Sequence, residues 1–176
     1  HEAALRDHAI SDHVIARLHA PRHGEVAILD YAPRYREDFA RLNLDWISRH
    51  FTIEEADREV FADPEGTILK AGGAILFARL DGGIVGTCGL KRRGPRTVEL
   101  VKMAVAEAVQ GRGVGRKLLE AAIAKARAMG YDTLYLETND RLERAVALYR
   151  QQGFRDVAPA EPSESVRTNV FMERDL

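Results

Sequence analysis

Short hydrophobic segments of two different periodicities follow one another along the chain from residue 25 onward. Apolar positions about 3.6 residues apart predict amphipathic helices at 35–50, at 52–62, from the glycines at 111–115 to about 129, and at 142–152. Short apolar or alternating runs predict strands at 25–30, 74–80, 84–90, 97–105, 133–137, 154–157 and 169–174. Hairpins in the middle of the chain followed by a β–α–β unit predict a mixed sheet with helices on both faces.

Local turn signals set several boundaries between these elements. The sequence Asp81-Gly82-Gly83 between two strand segments is a strong hairpin signal. Thr52 and Glu55 have the spacing of a capping box, which predicts that Thr52 begins the second helix. Asp63-Pro64 is expected to end that helix. No connection is rich enough in Gly, Ser or Pro to separate two domains.

Residues 1–23 differ in composition from the rest, because five of the six histidines lie there. Apolar positions recur at helical spacing before Pro21 and predict a short helix. Since Pro21 interrupts the i, i+4 pair His19 and His23, a metal site is disfavoured against a solvated or packing segment. We expect an N-terminal extension at 1–23, part of which can be a cloning remnant because the first residue is His, and one domain at 24–176.

Composition and charge disfavour several classes of protein. Lys and Arg number 26 and Asp and Glu number 27, and this net charge of −1 disfavours nucleic acid as a partner, since phosphate binding needs a basic excess. Apolar runs such as 74–78 are far shorter than the ~20 residues that span a membrane, and charged residues interrupt any signal peptide. The single cysteine, Cys88, allows no intrachain disulfide and no cysteine-based zinc site. We expect a soluble, cytoplasmic protein without a membrane partner or a metal.

A glycine-rich turn follows the predicted strand at 97–105. A strand that leads into glycines and then into a helix predicts an anion site, because the main chain can approach the anion and free N–H groups converge at the positive end of the helix. Arg112, Arg116 and Lys117 add positive charge nearby. The glycine spacing matches neither a P-loop nor a dinucleotide-binding fingerprint. A tight turn without a ligand is the alternative.

The segment Gln110-Gly111-Arg112-Gly113-Val114-Gly115 resembles the Q/R-x-x-G-x-G/A signature of the GCN5-related N-acetyltransferase (GNAT) superfamily, which holds the pyrophosphate of acetyl-CoA. The strand at 99–105, the segment at 147–154 and the ending at 170–176 resemble other motifs of this family in the same order. The resemblance implies an α+β fold with a twisted, mixed and mostly antiparallel sheet of six to seven strands and about four helices. It also implies that acetyl-CoA is the co-substrate.

A set of residues that bind acetyl-CoA follows from the resemblance. The turn would contribute Gln110, Gly111, Arg112, Gly113, Val114, Gly115 and Arg116. The fourth strand would contribute backbone amides around Met103, Ala104 and Val105. Asn139 is a further candidate, for the pantetheine arm. In the family this asparagine commonly precedes the motif tyrosine by about seven residues, but Asn139 precedes Tyr149 by ten. It is therefore open whether Asn139 contacts the cofactor.

Acetyl transfer to an amine needs a proton acceptor, donors for the carbonyl oxygen and a proton donor for the departing thiolate. Several family members use a glutamate at the place of Glu99 as the base, while others use a water relay or another carboxylate. The alternative for Glu99 is a solvated carboxylate, because its neighbours Val98 and Leu100 point to the opposite face. The resemblance implies that Tyr149 is the proton donor. The alternative is that its ring only packs in the core. Cys88 is disfavoured as a nucleophile because no histidine lies near it in sequence.

The acceptor amine is the least determined part of the function. The basic turn at 91–96 is interpreted as a solvated sheet edge rather than a substrate site, and Trp46, Phe51 and Phe61 are interpreted as core. The leading hypothesis is an acetyl-CoA-dependent N-acetyltransferase that acts on a primary amine of an unidentified small molecule or peptide by direct attack. A non-catalytic CoA-binding sensor or scaffold is the alternative. Because sheets of this family often pair through C-terminal strands, the apolar segment at 170–172 predicts a homodimer.

Overall fold

A computed structural model of the protein describes residues 24–159 and 161–176, so the predictions made for 1–23 lie outside the described residues. The strands are β1 (Ala27–Asp30), β2 (Ala74–Leu80), β3 (Gly83–Arg92), β4 (Thr97–Val105), β5 (Thr133–Thr138), β6 (Arg155–Asp156) and β7 (Val170–Asp175). The α-helices of the described residues are α1 (Arg36–His50), α2 (Glu55–Ala62), α3 (Val114–Ala128) and α4 (Glu143–Gln151).

The seven strands form one sheet in the order β1-β2-β3-β4-β5-β7-β6. Every neighbouring pair is antiparallel except β4 and β5, which are parallel and are connected through α3. This β4–α3–β5 crossover is the predicted β–α–β unit. The predicted α+β class, the mixed and mostly antiparallel sheet and the number of strands are therefore confirmed.

Helices cover both faces of the sheet and divide the core into two clusters. α3 and α4 pack on one face, where Leu118, Leu134 and Tyr149 are among the buried side chains. α1 and α2 pack on the other face, around the fully buried rings of Phe39 and Phe77. Because side chains alternate along a strand, β1, β2, β3 and β4 contribute apolar side chains to both clusters. The two layers fix the faces on which polar side chains of β4 and β5 can appear.

The hairpin between β2 and β3 turns at the predicted place. Asp81 and Gly82 both have positive φ, 49° and 83°, and Leu80 pairs directly with Gly83. Two central residues with positive φ form the turn whose twist matches the flanking strands. The Asp-Gly sequence tolerates this backbone, which explains why the signal located the hairpin correctly.

The predicted capping box at Thr52 is wrong, because the helix begins three residues later. Glu54 is the N-cap of α2, and Asp57 closes the capping box by accepting a hydrogen bond from the Glu54 N–H at 2.8 Å. The carbonyl of Thr52 instead accepts a hydrogen bond from Arg167 at 2.9 Å. The buried position of Asp57 sets this start. α2 ends at Ala62, as predicted, and an unpredicted π-helical turn at Glu65–Leu69 follows it.

The C-terminal strand lies inside the sheet, which contradicts the predicted mode of dimer pairing. β7 pairs with β5 along its whole length and with β6 at Glu173 and Met172. The carbonyl of Phe171 also accepts a hydrogen bond from the N–H of Val157. Both edges of β7 are thus used within the chain, and the segment at 170–172 has no free edge for a second copy. The homodimer itself stays a prediction.

Candidate active site

The parallel strands β4 and β5 separate halfway along their length. They are paired from Thr97 and Thr133 to Leu100 and Leu136. Beyond this point β5 continues alongside β7, whereas β4 continues alongside β3. Backbone groups of β4 after Leu100 therefore face an opening in the sheet instead of a neighbouring strand.

A β-bulge shapes β4 at the beginning of this opening. The register between β3 and β4 shifts between Thr87 and Gly89, so that one residue of β3 stands opposite two of β4. Lys102 at the bulge has a φ of +52°, which a residue with a side chain rarely adopts. Its ammonium group lies 2.5 Å from a carboxylate oxygen of Asp57. Beyond the bulge, Met103 and Val105 line the opening.

The glycine-rich turn lies at the end of this opening, as the sequence predicts. Gly111 and Gly113 have φ values of +82° and +80°, and apart from their chain neighbours no atom of the described residues lies within 4 Å of where a Cβ would stand. Gly113 is the N-cap of α3, so the first N–H groups of this helix have no partner inside it. Val114 is buried and anchors the turn, while Arg112 and Arg116 are exposed. These features are typical of an anion site.

One cleft of about 1100 Å³ connects the turn with the opposite end of the opening. It is lined by Gly113 and Gln110 at one end and by Glu99 and Glu137 at the other. The cleft therefore crosses the sheet where β4 and β5 separate, and it gives access to both faces. Its size exceeds the usual range for a single small ligand and suits an extended one.

Glu99 belongs to a cluster of charged side chains on the face of α1 and α2. The Arg93 guanidinium lies 2.5 Å from Glu99 and 3.0 Å from Glu137. Arg93 also stands over the Tyr135 ring at 4.3 Å, and the Tyr135 hydroxyl donates a hydrogen bond to Glu137 at 3.2 Å. Burial raises the pKa of Glu99, and the neighbouring Arg93 partly offsets that rise. A carboxylate in this setting can accept a proton from an amine near neutral pH.

Tyr149 lies on the other face, between the core and the cleft. Its ring packs edge-on against Phe154 at 5.8 Å, and the side chain lines the cleft. Burial, with a contribution from Cys88, raises the pKa of Tyr149 to about 12. Among the described residues, none forms a hydrogen bond with its hydroxyl. The phenol therefore keeps its proton at neutral pH and can donate it to a group in the cleft.

A second charged cluster holds three elements together beside the cleft. The carboxylate of Asp57 on α2 is buried and is bound by Lys102 from the bulge and by Arg167, at 2.5 and 2.7 Å. Burial opposes ionisation of Asp57, but the hydrogen bonds from Arg167, Lys102 and the Glu54 N–H hold its pKa at about 2. Asp57 thus stays ionised and fixes the bulge relative to α2 and to the loop before β7.

The similarity of this chain to known proteins agrees with the fold and the cleft. A model of the acetyltransferase (GNAT) family matches residues 18–154. The chain belongs to the acetyltransferase (GNAT) family. It is therefore an acyltransferase, and the matched residues include the glycine-rich turn and Tyr149. The family resemblance stated from the sequence is confirmed.

Curated relatives of this GNAT acetyltransferase match parts of its sequence. An IAA acetyltransferase of Azospirillum brasilense is 37% identical over 113 residues, which are 62% of this chain and 72% of that protein. The N-alpha-acetyltransferase RimI of Mycobacterium tuberculosis is 40% identical over 83 residues, which are 46% of this chain and 51% of that protein. The match to a mycothiol acetyltransferase of Jonesia denitrificans spans only 20% of that protein.

Solved structures of acetyltransferases have the same fold as this chain. A GNAT-family acetyltransferase of Staphylococcus aureus has a TM-score of 0.77 and 26% identity, with 86% of this chain and 99% of that chain covered. The acetyltransferase yncA of Salmonella typhimurium, solved with acetyl-CoA, has a TM-score of 0.68 and 20% identity, with 86% and 94% covered. At that identity the second likeness concerns the fold alone.

Asn139 differs from the other predicted cofactor residues because its side-chain amide is already used. It donates a hydrogen bond to the carbonyl of Arg167 at 2.8 Å and accepts one from the N–H of Arg141 at 2.9 Å. Asn139 therefore ties the loop before β7 to the connection between β5 and α4. Its contact with the cofactor stays a prediction.

Sequence reasoning missed four residues of this acetyltransferase that line or support the cleft: Arg93, Glu137, Asp57 and Lys102. The turn at 91–96 was interpreted as solvated, and Arg93 is partly exposed, but its guanidinium also turns back over β4 and contacts two carboxylates. Arg93 and Glu137 are 44 positions apart, and no local pattern connects them. The only signal was Glu137 within a strand segment, as for Glu99.

The aromatic residues of the first two helices divide between core and cleft. Phe61 packs against Phe39 at 5.6 Å in the smaller core cluster, as interpreted. Trp46 and Phe51 are only half-buried and line the cleft, 6.1 Å apart, so their interpretation as core is wrong. They form an apolar wall on the side of the cleft that holds Glu99.

The burial of Cys88 excludes it as a nucleophile. Cys88 is fully buried, and burial raises the pKa of its thiol to about 12, so it is no nucleophile at neutral pH.

Within 24–159 and 161–176 there is no group of three or more metal-ligating side chains. No helix in the same residues has the length and apolar character needed to cross a membrane.

Proposed function

We propose that the protein transfers the acetyl group of acetyl-CoA to a primary amine of a small molecule or peptide. The observation that carries this proposal is the single cleft that joins the glycine-rich turn to the cluster at Glu99 through the separation of β4 and β5. Such a cleft lets an anionic cofactor enter at the turn and an amine enter from the face of α1 and α2.

The residues of the turn fit the pyrophosphate of acetyl-CoA. The positive φ of Gly111 and Gly113 and the open space beside them let the main chain approach the phosphates. The helix N-terminus and the cations Arg112 and Arg116 favour their negative charge. We propose that this set and the amides of β4 hold the cofactor: Met103, Ala104, Val105, Gln110, Gly111, Arg112, Gly113, Val114, Gly115 and Arg116. Bound acetyl-CoA supplies the thioester.

The chain's own residues then supply the proton transfers. Glu99 accepts a proton from the ammonium of the acceptor, directly or through a water, so that the amine nitrogen has a free electron pair. Backbone N–H groups of β4 beyond the bulge donate to the carbonyl oxygen as it gains negative charge. Tyr149 donates its phenolic proton to the thiolate that leaves when the carbon–sulfur bond breaks, and the proton that the nitrogen loses as the amide forms restores the phenol.

Transfer is direct in this proposal, without an acyl-enzyme. The thiol of Cys88 is buried within the core on the α3 and α4 face and is protonated at neutral pH, so it offers no covalent intermediate. The amine nitrogen forms its bond to the acetyl carbon while both substrates are held in the cleft.

The names of the relatives reported above indicate different classes of acceptor, so they identify the acceptor of this chain no more closely than as an amine. The half-buried rings of Trp46 and Phe51 favour an acceptor with an apolar part next to its amine. A homodimer, a cytoplasmic location and the absence of nucleic-acid and membrane partners stay predictions. Light scattering at tens of micromolar protein tests the dimer.

The proposed function is tested by release of free thiol from acetyl-CoA across a panel of primary amines, including amino acids, diamines and peptides with a free N-terminus. We expect at least one amine to accelerate thiol release and to gain the mass of one acetyl group. Tyr149→Phe provides the matched control, because it keeps the ring and removes only the proposed proton donor. A panel that leaves thiol release at the level without protein contradicts the proposal.

A further inference from the structure

Arg93 lies between two carboxylates of the cleft and contacts both through one nitrogen. Its Nη1 is 2.5 Å from Oε1 of Glu99 and 3.0 Å from Oε2 of Glu137. The guanidinium plane also covers the Tyr135 ring at 4.3 Å. The three contacted side chains lie on β4 and β5, and together they hold the guanidinium in place.

The fold brings the two carboxylates together around a bridging cation. Glu99 on β4 is paired with Tyr135 on β5, and Glu137 lies two residues further along the same face of β5. Both carboxylates are mostly buried, with 18% and 13% of their side-chain surface exposed. Burial and the neighbouring carboxylate of Glu137 both disfavour the ionised form of Glu99, and the cation between them favours it.

The backbone of Arg93 is itself held by the hairpin between β3 and β4. Its N–H donates to the carbonyl of Thr97 at 3.0 Å, and the N–H of Gly94 donates to the same carbonyl at 3.2 Å. The side chain is about one-third exposed. Arg93 therefore reaches the pair from a fixed turn.

The other groups around Glu99 contribute less to its ionisation. Lys91 faces it across β3 and favours the charged form, while Glu137 on β5 disfavours it. Tyr135 on β5 stays protonated, since burial and the nearby Glu137 raise its pKa to about 12. Further carboxylates line the same cleft from α2 and from the loop before β7: Glu59, Glu161 and Glu164. Arg93 is the cation in contact with the pair.

We propose that Arg93 is a positioning residue that favours the ionised form of Glu99 and holds Glu99 in the orientation in which it accepts a proton. This proposal rests on the proposed function for the role of Glu99 as base. It gives the hairpin turn at 91–96 a part in the reaction, although Arg93 transfers no proton itself. In its absence, Glu99 keeps its proton to higher pH and is available as a base only there.

The test compares Arg93→Met, which removes the charge but keeps much of the side-chain length, with Arg93→Lys, which keeps a charge. Arg92→Met is the matched control, because Arg92 is the neighbouring residue at the end of β3 and its side chain, within the described part of the chain, bonds the carbonyl of Gly94 instead of a carboxylate. The titration of Glu99 is followed by carbon-13 NMR of the glutamate carboxyl groups, assigned with Glu99→Gln. The pH dependence of thiol release is measured in the same variants.

We expect the NMR midpoint of Glu99 to move to higher pH in Arg93→Met, to return toward the wild-type midpoint in Arg93→Lys, and to stay in place in Arg92→Met. Below the new midpoint, Arg93→Met should lose about tenfold or more in kcat/KM, and the loss should disappear at high pH. An unchanged Glu99 midpoint in Arg93→Met would overturn the proposal.

The two measurements separate this proposal from the proposed function. If the NMR titration of Glu99 shifts in Arg93→Met but the pH dependence of the rate does not, Arg93 controls the ionisation of Glu99 and Glu99 is not the base. A pH-independent loss of rate with no NMR shift assigns Arg93 a merely structural role and overturns the proposal. The NMR result is obtained without turnover, so it stands even if no tested amine is acetylated.

Discussion

Glu99 and Tyr149 line the same cleft although they belong to opposite faces of the sheet. Glu99 lies on the side of α1 and α2, and Tyr149 packs among the core side chains under α3 and α4. The separation of β4 and β5 after Leu100 is what makes both accessible from one cavity. In the proposed reaction, Glu99 and Tyr149 would then reach the reacting group from opposite faces of the sheet.

Gly113→Asp should abolish the binding of acetyl-CoA. At about a hundredfold excess over Kd, acetyl-CoA should raise the Tm of the wild type by about 5–10 °C. The aspartate places a side chain and a negative charge where the phosphates would lie, so the shift should vanish in thermal denaturation followed with and without ligand.

Gly130→Asp is the matched control for this measurement. Gly130 also has a positive φ, +87°, and open space beside it, but it follows the other end of α3. Both variants pay a similar backbone cost of about 1–2 kcal/mol, so only the loss of the ligand shift should differ between them. A wild-type Tm that millimolar acetyl-CoA leaves unchanged contradicts the cofactor assignment.

Tyr149→Phe should lower kcat by about 10- to 1000-fold, because the ring and its packing on Phe154 remain while the proton donor is lost. Cofactor affinity should hardly change. Steady-state kinetics and the ligand-induced Tm shift measure the two quantities separately. Tyr131→Phe, whose hydroxyl bonds the carbonyl of Gly72 away from the cleft, should keep the wild-type kcat. Full activity of Tyr149→Phe would show that its hydroxyl serves packing only.

The sequence was sufficient for the order of elements and for one end of the cleft. Periodicity located every strand to within a few residues, and the glycine spacing located the turn, because both depend on neighbours along the chain. The start of α2 was misplaced for a tertiary reason. Asp57 is buried and forms ion pairs with Lys102 and Arg167. These tertiary contacts outweigh the local capping preference of Thr52.

The other end of the cleft depends on contacts that no local pattern encodes. Arg93 meets Glu137 because a hairpin turn folds over β4 and because β5 lies next to β4 in the sheet. Likewise, whether Trp46 lies in core or cleft depends on where β4 and β5 separate, and that follows from β5 pairing with β7. Strand pairing between distant segments had to be known first.

Glu99→Gln should depress the rate most in the pH range just above the pKa of Glu99, where wild-type Glu99 is ionised and the acceptor is still mainly an ammonium ion, and less as the pH rises further. At low pH the acceptor is mainly an ammonium ion and needs a base, whereas at high pH a growing share is already deprotonated. Burial raises the pKa of Glu99 despite the nearby Arg93, so the wild-type rate should itself fall on the acid side as Glu99 becomes protonated. Rate profiles of kcat/KM against pH measure this. A variant profile parallel to the wild type would mean that Glu99 positions the substrate instead.

Asp57→Asn should destabilise the protein at neutral pH by about 3 kcal/mol, because it leaves Lys102 and Arg167 without their shared carboxylate. The folded pKa of Asp57, about 2, lies below the usual aspartate value of 3.8, so this stabilisation is present above the unfolded pKa and is lost as the pH falls through the folded pKa. The difference in unfolding free energy between wild type and variant should therefore be full at pH 7 and shrink between about pH 4 and pH 2.

Urea unfolding at several pH values measures this difference, with Asp156→Asn as the control. Asp156 forms an exposed ion pair with Arg150, and its loss should cost less than about 1 kcal/mol at every pH. Because Asp57 also fixes the bulge at Lys102, Asp57→Asn should weaken acetyl transfer even where the protein remains folded. A difference between wild type and variant that stays constant from pH 7 to pH 2 would show that the ion pairs of Asp57 do not supply the stability, and that its packing within α2 does.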